Sequence, residues 1–271
     1  MEDRNKQSAE KKTTYVSIAT QKGGAGKSSF TILAASILHY TFGKNVAVID
    51  CDSTQGTIFA MRNRDIKALE ENPKFGELFA KQYSRSQKTP YPVMSVDELK
   101  KKNKHGQFDY LALDLAEKLS KKHDLDYVFF DIPGSVKVDG VLTTLSMMDY
   151  VFCPFSPVIS DVESSASFCG LLIAGFIEKG AGNLKAVYGF WNEVDGRVKT
   201  SVFNTYSPAL EYMGIKLLNT RVPQLVRFGR ELSDNQTEIF KSTLLAPRPN
   251  VLYGSKVNNL IDEMVSVMNA N

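Results

Sequence analysis

Gln21-Lys22-Gly23-Gly24-Ala25-Gly26-Lys27-Ser28-Ser29 is the stretch on which the reading of this chain turns. It follows the β-rich run Tyr15–Thr20 and opens the apolar run Lys27–Phe42, so it reads as a turn from a strand into a helix. Glycines let backbone N–H groups turn inward around phosphate oxygens, and a helix N-terminus adds partial positive charge. In that arrangement Lys27 reaches the outer phosphates of a nucleotide and the Ser28 hydroxyl can ligate Mg²⁺. Gly23, Gly24, Ala25, Gly26, Lys27, Ser28 and Ser29 are the expected nucleotide-binding residues. A strict phosphate-loop pattern has glycine at position 21. Here Gln21 stands there, and a second lysine, Lys22, follows it.

Working outward, apolar β-branched runs alternate with helical stretches, the mark of βαβ units and a mainly parallel, twisted sheet flanked by helices. Strands are predicted at Tyr15–Thr20, Val46–Ile49, Pro92–Val96, Tyr127–Asp131, Tyr150–Pro154, Ala186–Trp191 and Ile215–Leu218. Helices are predicted at Lys27–Phe42, Tyr110–Lys122, Val141–Met148, Asp161–Glu178, Lys199–Met213 and Lys256–Asn269. Gly43 stands where a C-terminal helix cap belongs. Residues 59–90 are charged and bracketed by Pro73 and Pro90, and read as one or two helices outside the sheet. No linker divides the chain, so 15–271 reads as one domain behind a disordered arm, 1–14.

The 271 residues are 43% hydrophobic and 23% charged, which excludes a disordered or fibrous chain. The longest apolar run, Phe168–Ile177, is too short to span a bilayer. The polar start, 1–14, lacks the apolar centre of a secretory signal. Three scattered cysteines fit a reducing cytosol, so the expected location is cytoplasmic. His39, His105 and His123 are far apart, and no Cys/His spacing resembles a zinc site.

Two further segments carry acids at the ends of apolar strands. Val46 to Asp52 closes with Asp50 and Asp52, and ligands in open α/β sheets bind beyond the carboxyl ends of strands. Leu125 to Asp131 is a hydrophobic run ending in an acid that can hold Mg²⁺. Ile132-Pro133-Gly134 follows it.

Lys22-Gly23-Gly24-Ala25-Gly26-Lys27-Ser28 resembles the deviant Walker A motif of the ParA/MinD family of P-loop ATPases. The resemblance extends in order from about Tyr15 to Leu232 and implies a P-loop NTPase fold with ATP as substrate and Mg²⁺ as cofactor. By it, Lys22 crosses a nucleotide-sandwich homodimer to touch the partner's ATP, and Lys27 keeps the ordinary role. Asp52 then orients the attacking water, while Ser28, Asp50 and Asp131 attend the metal. Lys22, Lys27 and Asp52 are the implied catalytic residues. Ser53-Thr54 replaces the family's single proline, which displaces Gln55, and Gly134 replaces a second proline. The segment Ala186 to Asn192 resembles the strand ending near the adenine, so Asn192 and Pro223 are implied to contact the base.

Within the family the resemblance is closest to small ATPases that partition DNA, which bind DNA without sequence preference and are set moving by a centromere-bound, ParB-like partner. From Lys185 to Lys256 there are ten cations and six acids. Arg221, Arg227 and Arg230 fall within ten residues free of acids and are the expected DNA contacts, since backbone binding needs a basic patch and no base readout. Such a protein is nucleoid-associated when it holds DNA. Lys100-Lys101-Lys102-Asn103-Lys104 reads as a solvated loop. The alternatives are a MinD-like membrane or protein-positioning switch, an iron–sulfur reductase and a small-molecule ligase. The amphipathic Val257–Met268 run carries acids, not the cations a lipid surface attracts. Cys51, Cys153 and Cys169 read as core residues and not as cluster ligands.

Overall fold

Strands β1 (Thr14–Ile18), β2 (Val46–Asp50), β3 (Val93–Ser95), β4 (Tyr127–Asp131), β5 (Tyr150–Phe155), β6 (Ala186–Trp191) and β7 (Lys216–Leu217) form one sheet in the order β3-β2-β4-β1-β5-β6-β7. Every pairing is parallel. The structure, a computed structural model of the chain, describes residues 12–52, 56–102, 110–224 and 239–270. The fold is the expected α/β type, with helices on both faces of the sheet. Both faces are buried, which is why the strands read as continuous apolar runs. Val46, Val48 and Phe129 face one core, with α1 (Lys27–Ser36) and α10 (Val257–Asn269). Ala47, Ile49, Val128 and Phe130 face the other, with α5 (Leu111–His123) and α7 (Ile159–Leu172).

Helix α1 is buried from Phe30 to Ser36 on every side. A helix apolar all round must be covered all round. The sheet covers one side and the stretch Phe240–Leu245 another: Ser36 Oγ donates to Ser242 O at 2.7 Å and Tyr40 OH to Thr243 O at 3.0 Å. A π-helical turn, Ile37–Thr41, continues α1, and Gly43 follows with φ 70°, the left-handed conformation expected of it.

Residues 59–90 form two helices, α2 (Thr57–Glu71) and α3 (Pro73–Ser86). Asn72 separates them, and its Oδ1 accepts from Lys74 N at 3.1 Å, an N-cap with Pro73 at the first helical position. Two expectations are corrected. Thr13 and Thr14 belong to the fold and not to an arm: Thr13 Oγ1 donates to Leu125 O at 3.0 Å and Thr14 N to Asp126 O at 2.9 Å. Residues 1–11 lie outside the described residues. Lys100 lies on α4 (Val96–Lys102), not in a loop, because Ser95 Oγ accepts from Glu98 N at 3.4 Å and Asp97 and Glu98 fill the first turn. Asn103 and Lys104 are outside the described residues.

The C-terminal run is the core-packed helix expected: α10 buries Val257, Leu260, Ile261, Met264 and Met268. Cys153 and Cys169 are buried free thiols, while Cys51 lies just past the end of β2 and is half-buried. No described helix is long and apolar enough to cross a membrane.

Candidate nucleotide site

The order of the sheet places β1 between β4 and β5, where successive connections leave in opposite directions. Ligands of open α/β sheets bind outside the carboxyl ends of strands at such a point. The loop from Gln21 to Gly26 follows β1 there. Gly24 and Gly26 have φ of 75° and 87°, a region that side chains resist. At Gly26 a Cβ would also meet the Phe30 ring at 3.1 Å. The glycines are thus required by backbone shape as well as by close approach.

Lys27 opens α1, and its Nζ donates to Lys22 O at 3.3 Å, across the mouth of the loop. Ser28 Oγ donates to Asp131 Oδ2 at 2.7 Å. Asp131 ends β4 and is 1% exposed. Its other oxygen, Oδ1, is buried without a hydrogen-bond partner. Burial pushes the Asp131 carboxyl up to about 7, the Ser28 bond opposes that, and Asp50 raises it further. Gly134 packs against the loop: a Cβ there would lie 3.3 Å from Gln21 O and 3.4 Å from Lys27 Nζ. A side chain at 134 would need the Gln21 carbonyl to give way by a few tenths of an ångström.

Asp50 stands opposite Asp131 in the register of β2 and β4. Its Oδ2 accepts from Ile58 N at 3.1 Å and Phe59 N at 2.9 Å, and its Oδ1 from Asp52 N at 3.2 Å. The carboxylate therefore caps α2, where Gly56 supplies no side chain. Burial raises its pKa, and the three amide bonds pull it back. Asp52 is half-buried just beyond, and its carbonyl accepts from Gly56 N at 2.7 Å. Ser53, Thr54 and Gln55 lie outside the described residues.

Lys22 is engaged on its own chain. Its Nζ lies 2.8 Å from Asp161 Oδ1 in the first turn of α7. Glu193 is close by: burial and the negative Asp161 raise its pKa, while Lys22 lowers it. Asn192, just past the end of β6, is buried, and its Nδ2 donates to Ala25 O at 3.1 Å. Val194 pairs with Pro223 as an isolated parallel bridge, so Pro223 lies beside the segment that follows Asn192.

The basic region divides. Arg221 lays its guanidinium over the Phe203 ring at 4.1 Å, and with Lys256, Asn219, Thr220 and Asn259 it lines a shallow cavity of about 310 Å³. Arg197 is instead matched by Asp195, with Nε–Oδ1 at 3.0 Å and Nη2–Oδ2 at 2.5 Å. Arg227 and Arg230 lie outside the described residues.

These contacts test the fit of a metal. Among the described residues no three His, Cys, Asp or Glu side chains converge to hold one alone. Mg²⁺ characteristically takes one or two protein oxygens and completes its shell from phosphates and water. Ser28 Oγ and the orphaned Asp131 oxygen, beside a loop shaped for phosphate, fit that demand.

A family model described as the CobQ/CobB/MinD/ParA nucleotide binding domain matches residues 16–239. The chain belongs to this family. In sequence it matches no curated protein. In fold, this ParA/MinD-family chain is similar to a ParA from pNOB8 solved bound to nonspecific DNA (TM-score 0.60, 16% identity, covering 96% of this chain and 100% of that one). It is also similar to a plasmid partition protein of Borrelia burgdorferi bound to AMPPNP (TM-score 0.59, 19% identity, 94% and 99% covered). A third is a cobyrinic acid a,c-diamide synthase of Mycobacterium smegmatis with ADP and magnesium (TM-score 0.56, 18% identity, 79% and 87% covered). At such identities the likeness is one of fold, and the fold serves more than one chemistry.

Proposed function

We propose that the chain is a DNA-partitioning ATPase. It binds Mg–ATP at the Gln21–Ser29 loop, closes into a homodimer through Lys22, holds DNA without sequence preference in that state, and hydrolyses ATP to let go. The observation that carries the ATPase reading is the Ser28–Asp131 contact of 2.7 Å, with a second Asp131 oxygen buried and unpartnered beside the loop. Ser28 and Asp131 would hold Mg²⁺, which would offset the negative charge of the phosphates.

The remaining steps belong to the chain. Backbone amides of Gly23 to Ser28 cradle the phosphates, and Lys27 leaves Lys22 O for the outer ones. Asp50 holds the start of α2 and so sets the backbone from which Asp52 projects toward an attacking water. Asn192 and Pro223 flank the base. Lys22 must leave Asp161 before it can reach a partner's nucleotide, so dimer closure exchanges a half-exposed ion pair for contacts with polyphosphate. Arg221 and Lys256 offer charge to DNA phosphates, and a ParB-like protein on the cargo DNA would be the partner that stimulates release. A lipid-bound switch draws no support from α10, whose apolar side is spent in the core.

The test is DNA retention at low salt with Mg–ATP, with ADP and without nucleotide, read beside light scattering. DNA retention and dimerisation are expected with Mg–ATP alone. Lys27→Ala should lose ATP binding outright. Lys22→Ala should bind ATP as a monomer and lose dimerisation and hydrolysis. A parent protein that retains no DNA in any nucleotide state overturns the partitioning reading.

A further inference from the structure

Lys241 belongs to no element that forms the phosphate loop. Its Nζ nevertheless donates to Ser29 Oγ at 3.2 Å, which carries a cation to the first turn of α1. The backbone beside it is pinned from two sides. Asp65 of α2 is fully buried, and its Oδ2 accepts from Ser242 Oγ at 2.9 Å, Thr243 N at 2.6 Å and Thr243 Oγ1 at 2.9 Å. Arg62 Nε donates to Thr243 Oγ1 at 2.9 Å, and Ser36 of α1 donates to Ser242 O at 2.7 Å. Lys241 is thus presented to Ser29 by a locked segment.

The N-terminal turn of α1 is the positive end of its dipole and holds no acidic residue, so the ligand it attracts is an anion. A polyphosphate on the same turn is such a ligand. Lys27 and Ser28 take the outer phosphates and the metal. Ser29 is the next residue into the helix, and the inner phosphate is what remains for a cation beside it.

We propose that Lys241 is a nucleotide-binding residue that contacts the phosphate nearest the nucleoside. The assignment rests on the phosphate-loop reading above and adds to it a cation from the far end of the chain. ADP and ATP share that phosphate, so Lys241 should favour both equally and leave discrimination between them to Lys27.

Calorimetric titration of ADP and of Mg–ATP into the parent, Lys241→Met, Lys241→Arg and Lys27→Ala tests this. Methionine keeps the apolar stem and removes the charge. Lys241→Met should weaken both nucleotides by about tenfold or more, and by the same factor, as expected for loss of a charged hydrogen bond. Lys241→Arg should retain most of the affinity. Melting of Lys241→Met without nucleotide, beside the parent, is the control for folding. Unchanged affinities in Lys241→Met, with binding lost in Lys27→Ala, overturn the role of Lys241 and leave the loop reading intact. Parent-like binding in Lys27→Ala removes the loop reading itself. A lower melting temperature in Lys241→Met with unchanged affinity assigns the residue to structure and also overturns the proposal.

Discussion

Burial holds Asp131 with its carboxyl pushed up to about 7, against 3.8 for the ordinary group. The folded empty protein therefore keeps a proton on this residue that the unfolded chain releases above about pH 4. A group raised in the folded state contributes stability at low pH and loses it as pH climbs through the folded value. The penalty is absent below about pH 4, grows to about pH 7 and is constant above. A gap of about three pH units corresponds to roughly 4 kcal/mol at most. Asp131→Asn should remove this dependence: the empty variant should be the more stable protein at pH 8, with the gap closing toward pH 5, in thermal melts without nucleotide. The same variant should lose most of the extra stabilisation that Mg–ATP gives the parent, since a neutral amide offers the metal neither the charge nor the second oxygen of a carboxylate. In the parent, Mg²⁺ should bind more weakly below pH 7, where a proton competes for the carboxylate. Melts that respond equally to Mg–ATP in both proteins would remove Asp131 from the metal site.

At the scale of elements, Asp50 ties the β2 terminus to the first turn of α2. A capping carboxylate replaced by alanine costs about 0.5–2 kcal/mol, and here the side chain accepts from three backbone amides. Asp50→Ala should lower stability by about that amount and slow ATP turnover by shifting Asp52. Asp50→Asn keeps an acceptor and should recover much of both. If Asp50 served the metal directly, Asn would instead abolish Mg²⁺-dependent turnover at little cost in stability, and urea unfolding beside a turnover assay separates the two. The strands were legible because both faces of the sheet are buried: β4 and β6 occupy the predicted residues, and the acids that end β2 and β4 stand out against apolar runs. Helix α4 was hidden by its lysine run, although Ser95 and Glu98 carry the spacing of a helix start. The backbone shape of the loop was legible from its glycine spacing, since Gly24 and Gly26 take positive φ. The place of Lys241 beside Ser29 was not. The lysine sits in a stretch with no periodicity, fixed by Asp65 from about 180 residues away in sequence, and nothing in a linear pattern reports such a bond.

For the molecule as a whole, a net charge of +3 is too small to decide between DNA and protein partners, so the placement of the cations must. Arg221 and Lys256 share one shallow cavity, whereas Arg197 is already matched by Asp195. Lys256 holds a left-handed backbone with φ 56°, which glycine adopts without strain. Lys256→Gly therefore removes a charge from the patch while relaxing the chain, and its effect on DNA cannot be assigned to a damaged fold. Arg221→Lys keeps the charge but gives up the stack on Phe203, which separates packing from electrostatics. Each DNA phosphate neutralised releases condensed counterions, so the slope of log affinity against log salt should fall by about 0.9 for every such cation removed. Lys256→Gly and Arg221→Glu should each flatten that slope, and the pair should flatten it further, equally on unrelated DNA sequences. Two copies of the patch in an ATP-bound dimer double every effect, so monomeric Lys22→Ala should lose DNA retention even with Mg–ATP. Dimerisation with Mg–ATP is the control for each variant of the patch. A salt slope unchanged in the double variant would move the DNA surface off this cavity and onto other cations of the chain.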